Sequence, residues 1–168
     1  MNFNFESLPI VPNDPHSTCF ACGKGNPKGF QLVFHSDGKI LYSKFTTRDE
    51  FSGWSNLIHG GILATLMDEN MAWTAISLKK KYILTKSMNV FFKKPVLAGS
   101  TIYLKGYIEK EVSHREIITI SEIYNESNEL CASSQANIIL FSKESFHKLN
   151  VSGSEFLDNF EKEVFNKL

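Results

Sequence analysis

Two adjacent acidic residues, Asp68 and Glu69, interrupt an apolar run that follows the tripeptide His59-Gly60-Gly61. Burial of an unpaired carboxylate is costly, so acids in such a run indicate either a specific partner or a chemical role. A carboxylate can serve as a nucleophile or as the general base that activates a water molecule. This segment is therefore the first candidate for a catalytic site.

The two glycines lie where a helix is predicted to begin, from about Gly60 to Leu78. Backbone N–H groups in a first helical turn lack intrahelical partners, and the helix dipole is positive there. Glycine lets a substrate carbonyl approach these donors closely. Donors aimed at a developing oxyanion are often the largest catalytic contribution, so Gly60 and Gly61 are candidates for carbonyl binding.

On a helical wheel the two acids have different neighbours. Asp68 lies among three alanines, Ala64, Ala72 and Ala75, which leave a shallow trough for a ligand or for another backbone. Glu69 is flanked by apolar residues, and both a hydrogen-bonded structural role and a catalytic role remain open for it. Asp68 is the stronger catalytic candidate.

The length of the helix separates His59 from Asp68. Nine positions correspond to about 13 Å at 1.5 Å per residue, so the two residues cannot touch one small reacting group. If both belong to one site, that site must be shared between two chains whose helices run antiparallel across a two-fold axis. A functional link between the two residues therefore predicts a homodimer.

Cys19 and Cys22 have the spacing of half a zinc site, and His16 precedes them by three residues. A structural zinc site takes four ligands, and neither His35 nor Cys131 forms a second ligand pair in the sequence. We interpret Cys19 and Cys22 as packed or loop-bracing thiols and Cys131 as a small core residue. The sequence thus predicts no metal site.

The overall charge is balanced, with 18 basic and 18 acidic residues. No global basic field points to nucleic acid or to an anionic membrane as a partner. The odd number of cysteines and an N-terminus without signal-peptide character lead us to expect a reducing cytoplasm. No apolar run approaches membrane-spanning length, so we expect a soluble protein.

The element pattern predicts an α+β fold in a single domain. A hairpin precedes the long helix, and four further runs follow it with no helix between them, which predicts an antiparallel meander. The strand-like runs cover residues 30–34, 40–47, 85–92, 102–109, 116–124 and 130–141. About six strands must therefore wrap around one central helix to bury it.

The ends of the chain differ in character from this domain. Three prolines in residues 1–18 predict an extended N-terminal arm, and residues 19–150 form the domain itself. Residues 151–168 predict an amphipathic helix packed on the same domain. Ser152 and Glu155 have the spacing of a capping box at its start.

Three segments in order resemble a known family. They are residues 19–34, 59–69 and 85–95, and together they are similar to the hotdog-fold acyl-CoA thioesterases of the PaaI-like type. The similarity covers roughly residues 19–142. It implies an antiparallel sheet wrapped around one helix, and dimers or dimers of dimers with sites at the subunit interface.

The resemblance also implies a role for four residues. Asp68 matches the catalytic carboxylate, and Thr85 matches a hydroxyl residue that orients the water or the carboxylate. Gly60 matches the residue whose backbone N–H polarises the thioester carbonyl, and His59 shapes the pocket beside it. No cofactor is implied, because thioester hydrolysis needs little beyond a polarised carbonyl and a placed carboxylate.

Substrate binding is expected to involve further residues. Lys93 and Lys94 stand at a strand end where relatives often hold the nucleotide, so they are candidates for the coenzyme A phosphates. Some relatives carry an amide about six residues before the histidine, where this chain has Gly53. Asn56 is the nearest amide, and we expect it to contribute to substrate binding together with Gly61.

The leading hypothesis is an acyl-CoA thioesterase. A non-catalytic dimer that binds acyl-CoA or acyl lipid remains open, because the upstream amide is missing. An enoyl-CoA hydratase-like or dehydratase-like lyase is a third interpretation, since the superfamily also contains dehydratases and His59 could pair with an acid.

Overall fold

One helix of 20 residues, α1 (Gly60–Lys79), forms the axis of this computed structural model, which describes residues 4–168. Strands precede and follow it, and two short helices end the chain. In chain order these elements are β1 (Phe34–Ser36), β2 (Ile40–Thr46), β3 (Ser52–Trp54), β4 (Leu57–Ile58), β5 (Tyr82–Phe92), β6 (Thr101–Ser113), β7 (Glu116–Asn125), β8 (Leu130–Phe141), α2 (Lys143–His147) and α3 (Ser154–Glu163). The predicted limits of the central helix are confirmed to within one residue.

The main sheet of the described residues has six antiparallel strands in the order β1-β2-β6-β7-β8-β5. The predicted meander is wrong at one connection, because β5 pairs with β8 and not with β6. The free side of β6 is taken by β2. The chain makes no tight turn between β5 and β6, and it runs instead beside β4. There Ile58 N–H donates to the Val96 carbonyl, and Leu57 forms an isolated β-bridge with Leu97. This connection therefore carries the chain from one edge of the sheet to its middle.

The sheet curves around α1, which contacts β2, β5, β6, β7 and β8. Leu66, Met67 and Met71 of the helix are fully buried against inward-facing strand residues such as Leu104 and Ile138. Each such side chain contributes about 1.5–3 kcal/mol through burial. The predicted α+β architecture is thus confirmed. Among the helices of residues 4–168, none is long and apolar enough to cross a membrane.

A polar contact fixes α1 on the sheet. Ser121 Oγ donates to Asn70 Oδ1 at 2.8 Å in the core, and Thr74 Oγ1 donates to the Asn70 carbonyl at 2.7 Å. Gly106 lies against both helix side chains, and a Cβ at this position would be 2.3 Å from Thr74 Oγ1 and 2.4 Å from Asn70 Oδ1. Glycine on β6 is therefore required for this close approach.

The first predicted strand, over residues 30–34, is mostly wrong. Gln31 has a φ of 53°, which interrupts an extended chain, and β1 begins only at Phe34. Before that point, Phe30 N–H donates to the Phe20 carbonyl and Leu32 N–H to the Ala21 carbonyl. These residues thus hold the cysteine-containing loop and do not pair with β2.

The C-terminal segment packs on the second half of α1. Leu157 is buried, and the Phe160 ring lies 6.3 Å from the ring of Trp73. The capping-box prediction is wrong, because α3 begins after Gly153 without a side-chain cap and Ser152 Oγ has no hydrogen-bond partner in the described chain. The short helix α2, capped by Ser142, was not predicted.

Candidate active site

The first turn of α1 is organised by its N-cap. His59 has extended backbone angles, and its Nδ1 accepts a hydrogen bond of 2.9 Å from Gly61 N–H. The imidazole therefore satisfies one of the donors that a helix start leaves open. Gly60 N–H finds no acceptor in the described part of the chain, so it stays available for a substrate oxygen.

A cavity of about 350 Å³ lies in front of Gly60. Its walls come from β4, from the start of α1 and from the chain after β5. The lining residues are Leu57, Ile58, Gly60, Leu63, Phe92, Lys93, Lys94, Pro95 and Val96. A Cβ at Gly60 would lie 3.1 Å from Phe92 Cζ, so the phenylalanine ring approaches the helix start closely. We call this arrangement the carbonyl half-site.

The two lysines of the carbonyl half-site differ in their partners. Lys94 forms an ion pair with Glu129, whereas Lys93 has no ion-pair partner among residues 4–168. Lys93 also lines a second cavity on the sheet surface, beside Glu122 and Gln135. Lys93 is therefore the better placed of the two to meet an incoming phosphate.

Asp68 and Thr85 meet on another face of α1. Thr85 Oγ1 donates to Asp68 Oδ1 at 2.9 Å, and Asp68 is half-buried. The pairing of β5 with β8 shifts by one residue between Thr85 and Ser87, which is a β-bulge. Bulges re-aim side chains, and this one accompanies the turn of Thr85 toward the helix. We call this pair the carboxylate half-site.

The structure keeps the two half-sites apart within one chain. Gly60 and Asp68 are eight positions apart on one continuous helix, which corresponds to about 12 Å. Beside them, the outer edge of β5 pairs with no strand of residues 4–168, and Phe91 and Phe92 are 58% and 57% exposed. Long apolar sheet edges are normally covered, so this edge is suited to contact a second chain.

The remaining predicted residues lie around the carbonyl half-site. Asn56 is in the exposed turn between β3 and β4, outside the cavity lining, and its carbonyl accepts from Ala98 N–H at 2.8 Å. Gly53 packs on the histidine, since a Cβ there would be 3.2 Å from His59 Cδ2. A side chain at position 53 would therefore displace the N-cap, which gives a local reason for glycine.

A family model of the thioesterase superfamily matches residues 55–132. This segment contains the N-cap, α1 and both half-sites. This segment of the chain is thus similar to the thioesterase superfamily.

Individual proteins show the same similarity. The mouse acyl-coenzyme A thioesterase THEM5 is 32% identical over 87 residues, which are 52% of this chain and 35% of THEM5. The chain thus spans about a third of that relative. The Escherichia coli PaaI protein of the phenylacetic acid degradation operon superposes with a TM-score of 0.60 at 17% identity, covering 66% of this chain and 78% of PaaI.

A second solved structure has the same fold. Protein smu.793 of Streptococcus mutans UA159, solved bound to acetyl CoA, gives a TM-score of 0.62 at 17% identity and covers 67% of this chain and 90% of that protein. At these identities the similarity concerns the fold alone, and it confirms the predicted hotdog fold.

Glu69 does not join Asp68. It lies on a different face of α1, where Trp73 Nε1 donates to Glu69 Oε1 at 2.9 Å and Cys19 Sγ lies 3.6 Å away. Burial, reinforced by the charge of Cys19, raises the pKa of Glu69 to about 7. A hydrogen bond from the Cys22 thiol lowers the pKa of Cys19 to about 5. Glu69 is thus half-buried and hydrogen-bonded on the face of α1 that meets the cysteine-containing loop.

Two features of this region were not predicted correctly from the sequence. Phe92 covers the start of α1. Because Phe92 directly precedes the candidate Lys93, the sequence could have indicated that it lies near the site. Ala75 is fully buried in the core, whereas Ala64 and Ala72 are half-buried. Ala75 is therefore a packing residue and cannot form part of an open trough beside Asp68.

Proposed function

We propose that the protein is an acyl-CoA thioesterase that hydrolyses an acyl-CoA thioester to a free acid and coenzyme A. The observation that carries this proposal is the Thr85–Asp68 hydrogen bond, which holds a half-buried carboxylate on the helix that presents a free N–H at Gly60. The mouse relative THEM5 is an acyl-coenzyme A thioesterase, and its similarity supports the same chemistry for this chain.

The active form is a homodimer, alone or within a dimer of dimers. Two chains related by a two-fold axis bring the carbonyl half-site of each to the carboxylate half-site of the other. The helix length that separates Gly60 from Asp68, and the unpaired edge of β5, both support this arrangement. Each dimer then contains two complete sites.

Hydrolysis follows from these groups. Gly60 N–H donates to the thioester oxygen and stabilises the oxyanion as the carbonyl carbon becomes tetrahedral. Asp68 of the second chain either takes a proton from the attacking water or attacks the carbonyl itself, giving an anhydride that water opens. The C–S bond breaks and coenzyme A leaves as a thiolate. Thr85 holds the carboxylate in position, and His59 holds the helix start.

Binding of coenzyme A uses the positive end of the carbonyl half-site. Lys93 and Lys94 attract the phosphates, while the acyl chain enters the apolar space beside α1. Gly61 contributes by donating its N–H to His59 Nδ1, which holds the imidazole at the helix start and leaves the Gly60 N–H for the substrate. Asn56 lies at the outer rim and contacts only the more distant parts of the substrate.

The direct test is thiol release from acyl-CoA esters of short, long and aromatic acyl groups, with wild type and Asp68→Asn. We expect Asp68→Asn to lose at least about 100-fold in kcat/KM, because an amide is neither a base nor a nucleophile. Asp49→Asn, an exposed carboxylate outside both half-sites, is the matched control. Equal activity of wild type and Asp68→Asn would remove Asp68 from the mechanism.

A non-catalytic acyl-CoA binding dimer is the second candidate function. Gly53 supports it, because this position packs against His59 and carries no amide to hold a substrate carbonyl. This alternative predicts saturable acyl-CoA binding by calorimetry without thiol release from any ester in the panel.

A further inference from the structure

Cys19, Cys22 and Glu69 form a cluster that no step of the proposed hydrolysis uses. One donor atom from each residue lies within 4.8 Å of the other two, and Cys19 Sγ is 3.6 Å from Glu69 Oε1. The first two residues come from the loop before β1, whereas Glu69 comes from the middle of α1. The fold therefore brings a third donor to a cysteine pair that looked incomplete in the sequence.

The cysteine loop is shaped to present both sulfur atoms. Gly23 N–H donates to the Cys19 carbonyl at 3.0 Å, and a Cβ at Gly23 would lie 2.5 Å from Cys19 N and from the Ser17 carbonyl oxygen. These backbone contacts fix the turn that carries Cys19 and Cys22. Cysteine binds metals through its sulfur.

The carboxylate is also held in one orientation. Trp73 Nε1 donates to Glu69 Oε1 at 2.9 Å and to Cys22 Sγ at 3.3 Å. The indole is itself fixed, because Trp73 is buried and stacks on Phe34 with ring centroids 5.6 Å apart. Hydrogen bonds of this kind orient metal ligands and are a regular part of metal sites.

The distance between Cys19 Sγ and Glu69 Oε1 fits a tetrahedral ion. With zinc–sulfur distances of about 2.3 Å and zinc–oxygen distances of about 2.0–2.2 Å, neighbouring corners of the tetrahedron lie about 3.5–3.8 Å apart. The 3.6 Å between Cys19 Sγ and Glu69 Oε1 falls in this range. The cluster borders a cavity of about 510 Å³, into which His16 and Asp14 also face. Water or a side chain from this cavity can take the fourth corner.

We propose that Cys19, Cys22 and Glu69 bind one divalent transition-metal ion of the zinc class, with the fourth position open to this cavity. Thiolate donors select such an ion over magnesium or calcium. The ion would tie the loop before β1 to the helix turn next to Asp68. This proposal revises the interpretation of the two cysteines as packed thiols, and it is independent of the proposed hydrolase activity.

The test uses the full chain, reduced and stripped with a chelator. Zn²⁺ is titrated in competition with a chromophoric chelator, and Co²⁺ is added separately while its absorption spectrum is recorded. We expect one ion per chain, a thiolate-to-cobalt charge-transfer band and the intense d–d bands of a tetrahedral site. Cys19→Ser, Cys22→Ser and Glu69→Gln should each weaken zinc binding by at least about tenfold.

Two further variants serve as controls. Cys131→Ser removes a buried cysteine outside the cluster and should leave zinc affinity unchanged. Glu69→Gln preserves side-chain size, and its circular dichroism and thermal unfolding establish that it is folded if a cysteine variant is not. Binding of less than about 0.1 ion per chain, or a cobalt spectrum without the charge-transfer band, would overturn the proposal. A reduced protein that reoxidises to a Cys19–Cys22 disulfide and takes up no metal would also overturn it.

Discussion

Thr85 Oγ1 donates a hydrogen bond of 2.9 Å to Asp68 Oδ1, and this bond joins β5 to the middle of the central helix. Asp68 Oδ2 has no hydrogen-bond partner among residues 4–168, so Thr85 holds one carboxylate oxygen and the other oxygen remains able to accept a hydrogen bond. A carboxylate that is held in this way needs less reorganisation during a reaction.

Removing the hydroxyl of Thr85 should therefore lower kcat. We expect Thr85→Ala to lose about tenfold in kcat with little change in KM, because the carboxylate keeps its charge but loses its anchor. Thr85→Ser retains the hydroxyl and should stay within about threefold of wild type. Steady-state thiol release measures both values. A Thr85→Ser loss as large as that of Thr85→Ala would show that the methyl group, and not the hydroxyl, matters.

The backbone donor of Gly60 can be removed by proline. His59 has φ −62° and ψ 133°, which suits a residue before proline, and proline is favoured at the first helical position. We expect Gly60→Pro to remain folded but to lose about 10²–10³ in kcat, as when an oxyanion donor is deleted. Gly60→Ala adds a similar Cβ next to Phe92 and keeps the N–H, so it separates crowding from loss of the donor. Comparable losses in the two variants would argue against the N–H.

A shared site can be tested by complementation between chains. Asp68→Asn and Gly60→Pro are co-expressed with different tags, and the heterodimer is isolated by two affinity steps. If each site takes Gly60 from one chain and Asp68 from the other, one of the two sites is intact and activity is about half that of wild type. Both homodimers serve as inactive controls. Background activity in the heterodimer would place the whole site within a single chain.

The two lysines should contribute unequally to coenzyme A binding. Lys93→Ala should raise KM for acyl-CoA by about fivefold, equivalent to about 1 kcal/mol, with kcat nearly unchanged. Lys94→Ala should have a smaller effect, because Lys94 is paired with Glu129. A thioester of N-acetylcysteamine lacks the phosphates and provides the control substrate. Equal changes in KM for both substrates would mean that the lysines do not contact the phosphates.

The parts of the fold governed by local pattern were predictable from the sequence. The limits of α1 and of β8 follow from continuous apolar periodicity, and both were predicted within one residue. The position of β5 in the sheet could not be predicted in this way. It depends on the path of residues 93–100 from the edge of the sheet to its middle, and on the pairing of β2 with the side of β6 that β5 would otherwise occupy. A local pattern carries no information about such competition between strands.

The candidate site shows the same division. The pairing of Thr85 with Asp68 came from the resemblance to a family, and the structure places the two side chains in contact. The environment of Glu69 was missed, because its partner Cys19 is 50 residues away in the chain. The wheel identified apolar neighbours of Glu69 correctly but could not show that Trp73 turns its N–H toward the carboxylate.

The contact of Asn70 with Ser121 has a mechanical consequence for Asp68, two residues earlier. If α1 slid by one residue, about 1.5 Å, Asn70 would lose its acceptor role inside the core and a different side chain would collide with Gly106. Sliding and rotation of the helix are thereby blocked at a point that no substrate reaches. The contact between Asn70 and Ser121 thus fixes the position at which α1 presents Asp68, and in the proposed dimer it would set how far this carboxylate extends toward the second chain.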